Sequence, residues 1–128
     1  MYHNTVGHNL VAIGDGALYN QRIGTGNFYQ NVAVGSKALF SNTTGWGNIA
    51  IGFAAITNNT TGEENTSVGS RSMANNTTGT QNTSVGFRAL TANTNEWGNT
   101  AIGCFAMFGA KGGNQITCLG MESDAVMI

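Results

Sequence analysis

The chain has 128 residues, a formal net charge of −1, and charged side chains at only 9% of positions. Nucleic acids and anionic membranes recruit basic surfaces, so this balance gives no reason to expect either as a partner. Charged residues usually make up about 25% of a soluble domain, so the surface is unusually uncharged. The sequence contains no signal peptide and no apolar run long enough for a membrane span, and no membrane insertion is expected.

A phrase ending in glycine returns along the chain at a nearly fixed interval. Leu10-Val-Ala-Ile-Gly14 comes first, and Asn31-Val-Ala-Val-Gly35 follows 21 residues later. From Gly35 onward the interval is 17 residues. The glycines are Gly14, Gly35, Gly52, Gly69, Gly86, Gly103 and Gly120. A unit this short cannot bury an apolar face alone, so the pattern predicts seven stacked coils in an all-β parallel solenoid.

Each copy carries the same residue types around its glycine. A branched aliphatic residue precedes the glycine, small residues stand two before and three after it, and another apolar residue stands four after it. The first aliphatic column is Ile13, Val34, Ile51, Val68, Val85, Ile102 and Leu119. The second apolar column is Leu18, Leu39, Ile56, Met73, Leu90 and Met107. Both columns are predicted to fill the interior, on two short strands per coil.

The stretches between copies carry turn signals, since Asn-Thr-Thr-Gly recurs at 42–45, 59–62 and 76–79. Each coil is therefore predicted to run strand, glycine bend, short strand, polar turn. The bend glycines are expected in a conformation that a Cβ disfavours. Strands about 4.8 Å apart would make a rod of about 34 Å. Residues 1–9 would form an entry cap, 10–120 the coils with a four-residue insertion within 20–30, and 121–128 an exit segment, all in one domain.

Several asparagines of the repeat lie in Asn-x-Ser/Thr sequons. They are Asn42, Asn58, Asn59, Asn65, Asn75, Asn76 and Asn82. Because the sequons follow automatically from the repeat, these residues are interpreted as stacked amide ladders rather than glycosylation sites. In-register Asn side chains can hydrogen-bond to the Asn above and below.

Candidate chemical groups are sparse, and no enzyme, metal or cofactor is expected. Cys104 and Cys118 show no zinc-ligand spacing and are interpreted as small structural residues. Glu64 and Glu96 occupy turns two coils apart, about 10 Å, near the upper limit for an inverting glycosidase pair. Nothing in those polar turns would raise a pKa, so the glutamates are interpreted as solubilising charges.

The aromatic and acidic turn residues are the candidates for receptor contact. They are Trp46, Glu63, Glu64 and Trp97 in the turns, with Phe28 and Tyr29 in the insertion. Exposed aromatic rings can stack on sugars, but each can equally pack on a neighbouring chain. The same two alternatives apply to Phe53 and Phe87, which follow their glycines at the opposite bend.

The phrase Asn99-Thr-Ala-Ile-Gly103, followed by an Ala–apolar pair and the recurring Asn-Thr-Thr-Gly turn, resembles the repeats of phage tail fibres and related virion appendages. Val11-Ala-Ile-Gly14 is similar, more distantly, to the head β-rolls of trimeric autotransporter adhesins, whose coils are shorter than 17 residues. The resemblance covers about residues 4 to 120. It implies a left-handed β-roll in a homotrimer, acting as a shaft or adhesive head on the virion surface or tail, or otherwise on a cell surface or outside the cell.

A trimer is also favoured by the thinness of the coil. Ordering a residue costs about 1 to 2 kcal/mol of conformational entropy, which a core one or two side chains wide hardly offsets. Hydrophobic residues at 41% therefore predict burial between identical chains. Three function classes follow: a virion fibre segment that binds a host glycan or protein receptor and other virion proteins, a self-assembling decoration or filament protein, and an ice-binding solenoid.

Overall fold

In the computed structural model of the protein, residues 10–22, 30–109 and 113–123 are described. They contain seven strands: β1 (Val11–Ile13), β2 (Val32–Val34), β3 (Ile49–Ile51), β4 (Thr66–Val68), β5 (Thr83–Val85), β6 (Thr100–Ile102) and β7 (Thr117–Leu119). All seven form one parallel sheet in chain order. The predicted all-β parallel solenoid is confirmed. The entry cap at 1–9, most of the insertion and most of the exit segment lie outside the described residues.

The register between strands follows the 17-residue period. Ile51 of β3 pairs with Val68 of β4, and Val68 pairs with Val85 of β5. Val11 of β1 pairs with Val32 of β2 across the longer interval, so the insertion is accommodated outside the sheet. Six steps of about 4.8 Å separate β1 from β7 by about 29 Å. Within the described ranges no helix is long and apolar enough to cross a bilayer.

The aliphatic column before the glycines lies on the outside of the coil, so its predicted role as a core stack is wrong. Ile13 is 60% exposed and Leu119 65%, at the two ends of the sheet, while Val34 and Val68 are half-buried. The remaining members, Ile51, Val85 and Ile102, are exposed. Side chains alternate along a strand, and the small middle residue of each strand points inward. This interior has room for Ala or Ser beneath the sheet, which leaves the first and third positions outside.

The second apolar column is buried as predicted, but it stands in turns rather than on a second strand. Ile56 and Met73 are fully buried and have φ of 47° and 52°, which is the left-handed region. The amide of Ala55 bonds to the carbonyl of Gly52 at 3.3 Å, a tight turn, and the amide of Ile56 bonds to Ser72 of the next coil at 3.1 Å. The coils therefore stack through backbone hydrogen bonds here without extended geometry.

The bend glycines adopt the conformation that was predicted for them. Gly52 has φ of 132° and Gly69 of 140°, values that L side chains rarely adopt. A Cβ on Gly52 would lie 2.6 Å from the carbonyl carbon of Gly69 in the next coil. The glycine is required both for its backbone angle and for the close approach of successive coils.

Two ladders of buried asparagine run along the inside of the solenoid. The Oδ1 of Asn48 accepts the backbone N–H of Asn65 at 3.0 Å. In the second ladder, Nδ2 of Asn59 donates to Oδ1 of Asn42 at 2.7 Å and to the carbonyl of Gly62 at 2.9 Å. In the described part of the chain no buried side-chain nitrogen or oxygen lacks a hydrogen bond.

The ladder prediction is confirmed for five of the seven sequon residues. Asn42, Asn59, Asn65, Asn76 and Asn82 are fully buried, so a glycan could not be attached to them in the folded chain. Asn58 and Asn75 are exposed and belong to neither ladder. Their position, one residue before a ladder Asn in the turn, points the side chain outward.

Candidate functional site

Three connected surfaces occupy one side of the solenoid. The sheet face consists of the first and third residues of each strand, which point outward. The loop edge consists of the two residues before the Asn or Ile that leads into a strand: Trp46-Gly47, Glu63-Glu64, Thr80-Gln81, Trp97-Gly98 and Asn114-Gln115. The glycine edge consists of the two residues after each bend glycine. Because every strand begins at the loop edge and ends at the glycine edge, the sheet face lies between them.

The sheet face is apolar along much of its length. Large exposed hydrophobic residues on it are Val11, Ile13, Ile49, Ile51, Val85, Ile102 and Leu119. In β4 to β7 a Thr occupies the first outward position, while the third stays aliphatic. In-register pairing stacks these side chains directly on one another. An apolar column of this length on the surface of one chain marks an interaction surface rather than scattered exposure.

The loop edge holds the turn residues that were predicted to contact a receptor. Trp97 is 42% exposed and Glu64 is exposed, whereas Trp46 and Glu63 are half-buried. Backbone hydrogen bonds stack the edge, from the amide of Glu64 to the carbonyl of Trp46 at 2.9 Å. The structure therefore brings Trp46, Glu63 and Glu64 together, with Trp97 two coils beyond Glu64. The predicted contacts Phe28 and Tyr29 lie outside the described residues.

The two glutamates that were weighed as a catalytic pair accept hydrogen bonds from their own surroundings. Oε2 of Glu64 accepts from Nε2 of Gln81 at 2.9 Å. Oε2 of Glu96 accepts from the backbone amides of Thr94 at 2.7 Å and Asn95 at 3.1 Å. Each carboxylate thus helps to hold a loop in place.

The glycine edge carries an aromatic and cationic row whose basic members the sequence analysis did not single out. The guanidinium carbon of Arg71 lies 5.8 Å from the ring centroid of Phe53, and that of Arg88 lies 5.5 Å from Phe87. Phe87 and Phe105 meet edge to face at 5.2 Å. These are cation–π and aromatic distances. The signal was present, because all of these residues are the first or second after a bend glycine.

The cysteines and acidic groups form no metal centre in the described part of the chain. No group of three or more His, Cys, Asp or Glu residues there could hold a metal ion. Cys118 is a free, buried cysteine paired in register with Ala101, which confirms its role as a small inward residue. Cys104 is free and half-buried on the glycine edge.

Comparisons with protein-family models, with curated proteins and with solved structures find no match for this chain.

Proposed function

We propose that this chain is a non-enzymatic segment of a virion appendage such as a phage tail fibre, in which three copies form a rigid shaft or head that presents a host-receptor-binding surface. The observation that carries the proposal is the apolar sheet face. Burial of apolar surface is worth about 25 cal/mol per Å², so the solvated column favours association. Cyclic symmetry lets each copy turn the same face towards a common axis.

Rigidity of the coil supports the use of the chain as a shaft. Every coil repeats the same register, and the asparagine ladders link neighbouring coils through hydrogen bonds that are shielded from water. A quasi-one-dimensional stack of this kind transmits position along its axis without a hinge. Three identical copies would also present each outward contact three times, which raises the apparent affinity for a host glycan or protein.

An end-to-end filament is the second candidate. Within the described residues, β1 and β7 each pair with one strand only, and a strand edge can template another chain. Ice binding has weaker support. The hydroxyls of Thr43 and Thr60 donate to carbonyls of the next coil at 2.9 and 3.1 Å, so these threonines are engaged in stacking. A thermal hysteresis measurement tests this alternative.

Sedimentation equilibrium of the purified chain tests the proposal. We expect a trimer at micromolar concentration that does not lengthen as the concentration rises. A folded monomer would contradict the assembly, and species of growing length would favour the filament. In the double variant I51K/I102K the charges lie on the sheet face, so the circular dichroism spectrum should stay unchanged while the trimer is lost. Its control, T44K/T78K, adds the same charge to exposed turn residues and should stay trimeric.

A further inference from the structure

Residues of matching chemistry stand at the two ends of the same strand. Glu63 and Glu64 lie on the loop edge before β4, and Arg71 lies on the glycine edge after it. The aromatic residues follow the same rule. Trp46 precedes β3 and Phe53 follows it, while Trp97 precedes β6 and Phe105 follows it. These pairs cannot serve each other within one chain, because a strand separates them.

Cyclic symmetry brings the two ends together between copies. In a closed ring the interface is head to tail, so the end of a strand in one copy meets the beginning of the same strand in the next. Any axial step between neighbours would accumulate and open the ring into a helix. A closed trimer therefore sets each loop edge against the glycine edge of the same layer.

We infer that the loop edge of one protomer packs on the glycine edge of its neighbour, with Glu64 paired to the partner subunit's Arg71 and each Trp packed on the partner's Phe in its layer. This inference rests on the proposed trimer and adds its internal contacts. Electrostatic complementarity carries it, since Glu64 and Arg71 are both exposed in one chain and oppose each other in the only register that a closed ring allows.

Both charged side chains are already positioned near this contact by their own chain. Gln81 donates to Glu64 at 2.9 Å, and Arg71 lies over the ring of Phe53. A side chain held by a neighbour loses less entropy when it pairs. Of the two alternatives for the turn aromatics, packing on a neighbouring chain is then the one that applies. Receptor contact moves to the outward turns, where Thr44, Thr61 and Thr78 are exposed.

Disulfide trapping in the full chain tests the register. The background is C104S/C118A, in which Ala replaces Cys118 in a column where Ala is already common. Adding E64C and R71C should give covalent trimers on a non-reducing gel, because each chain joins both neighbours. The matched control is E64C with R88C. A shift of one layer, about 4.8 Å, carries that pair beyond the Cα separation of about 7 Å that a disulfide spans, so it should stay largely uncrosslinked.

Charge exchange provides a second test that needs no cysteine. E64R and R71E each place like charges in contact at every interface and should raise the concentration of half-dissociation by about tenfold or more. The double variant E64R/R71E should restore the parent value. E122R is the control, since Glu122 also lies on the glycine edge with positive φ and faces the amides of the Asn114-Gln115 layer. It should leave assembly unchanged.

The outcomes separate this inference from the proposed trimer. Covalent trimers through positions 64 and 71, with rescue by the double exchange, support it. A protein that sediments as a trimer but crosslinks through 64 and 88, stops at covalent dimers or ignores the charge reversals overturns the inference and leaves the trimer standing. A parent chain that sediments as a monomer overturns both.

Discussion

Gly52 and Gly69 stack so closely that a Cβ on Gly52 would lie 2.6 Å from the carbonyl carbon of Gly69. The same glycine has φ of 132°, so a side chain meets both a conformational and a steric barrier. Neither can relax without separating two coils that are hydrogen-bonded on both sides of the contact. The close approach therefore belongs to the stack and not to one coil.

We expect Gly52→Ala to lower the free energy of unfolding by about 3 kcal/mol or more. Gly47→Ala is the matched control, because Gly47 also has positive φ (67°) but a Cβ there would meet only Cγ of Glu64 at 3.4 Å. Glu64 and Gln81 occupy the equivalent position in other coils. Urea denaturation measures both variants. Equal losses would show that the spacing between coils does not depend on glycine.

Charge placed on the two apolar columns should separate folding from assembly. Met73 is fully buried, so Met73→Asp leaves an unpaired charge in the core and should abolish folding. Val68 lies half-buried on the sheet face, and Val68→Asp should keep the fold while weakening association. Circular dichroism measures folding, and sedimentation measures association. Unfolding of Val68→Asp to the same extent would contradict the outward placement of its column.

The asparagine ladders should be far more sensitive to substitution than the asparagines beside them. Asn59→Ala removes the donor to Asn42 and to the carbonyl of Gly62 and the acceptor for Asn76. Leaving these buried groups without partners should cost about 2 to 4 kcal/mol. Asn58→Ala changes an exposed neighbour and should lie within about 0.5 kcal/mol of the parent. Thermal unfolding followed by circular dichroism compares the two, and similar melting temperatures would refute the role of the ladder.

Two adjacent alanines should respond differently to glycine. Ala54 has φ of 54°, where a non-glycine residue is strained by about 1 to 2 kcal/mol, so Ala54→Gly relieves strain that offsets the added entropy of glycine. Ala55 is fully buried and has no positive φ, so Ala55→Gly gains no such relief. We expect Ala55→Gly to be the less stable variant by about 1 kcal/mol or more in urea denaturation. The reverse order would contradict the left-handed turn.

The period of the coils and their register could be predicted because glycine and asparagine impose local demands. The interval from Gly35 to Gly52 alone implies the pairing of Val34 with Ile51 that the sheet shows. The second strand could not be excluded in the same way. Left-handed φ at Ile56 is contrary to the preference of a β-branched residue, and only the hydrogen bonds to neighbouring coils hold it there.

The inside and outside of the coil were harder to predict for a different reason. A strand of three residues is too short for alternation to show in the sequence, and Val68 is as apolar as Met73. The decisive property was the volume available beneath the sheet, which the small residues at Ser67 and Ser72 indicate only once they are seen to face each other through a hydrogen bond of 3.0 Å. The role of Arg71 likewise depends on where its edge lies.

The uniform register makes length an independent variable in this molecule. Because Ser67 pairs with Ser84 and Ser84 with Ala101 at the same offset, a whole coil could be duplicated or deleted without changing the cross-section or the contacts of the remaining coils. A change of 17 residues would alter the reach of the rod by one strand spacing, about 4.8 Å. A change of any other size would displace the glycine contacts in every later coil. Recombination between near-identical repeats could thus adjust reach in fixed increments while the surface chemistry varies separately, one layer at a time.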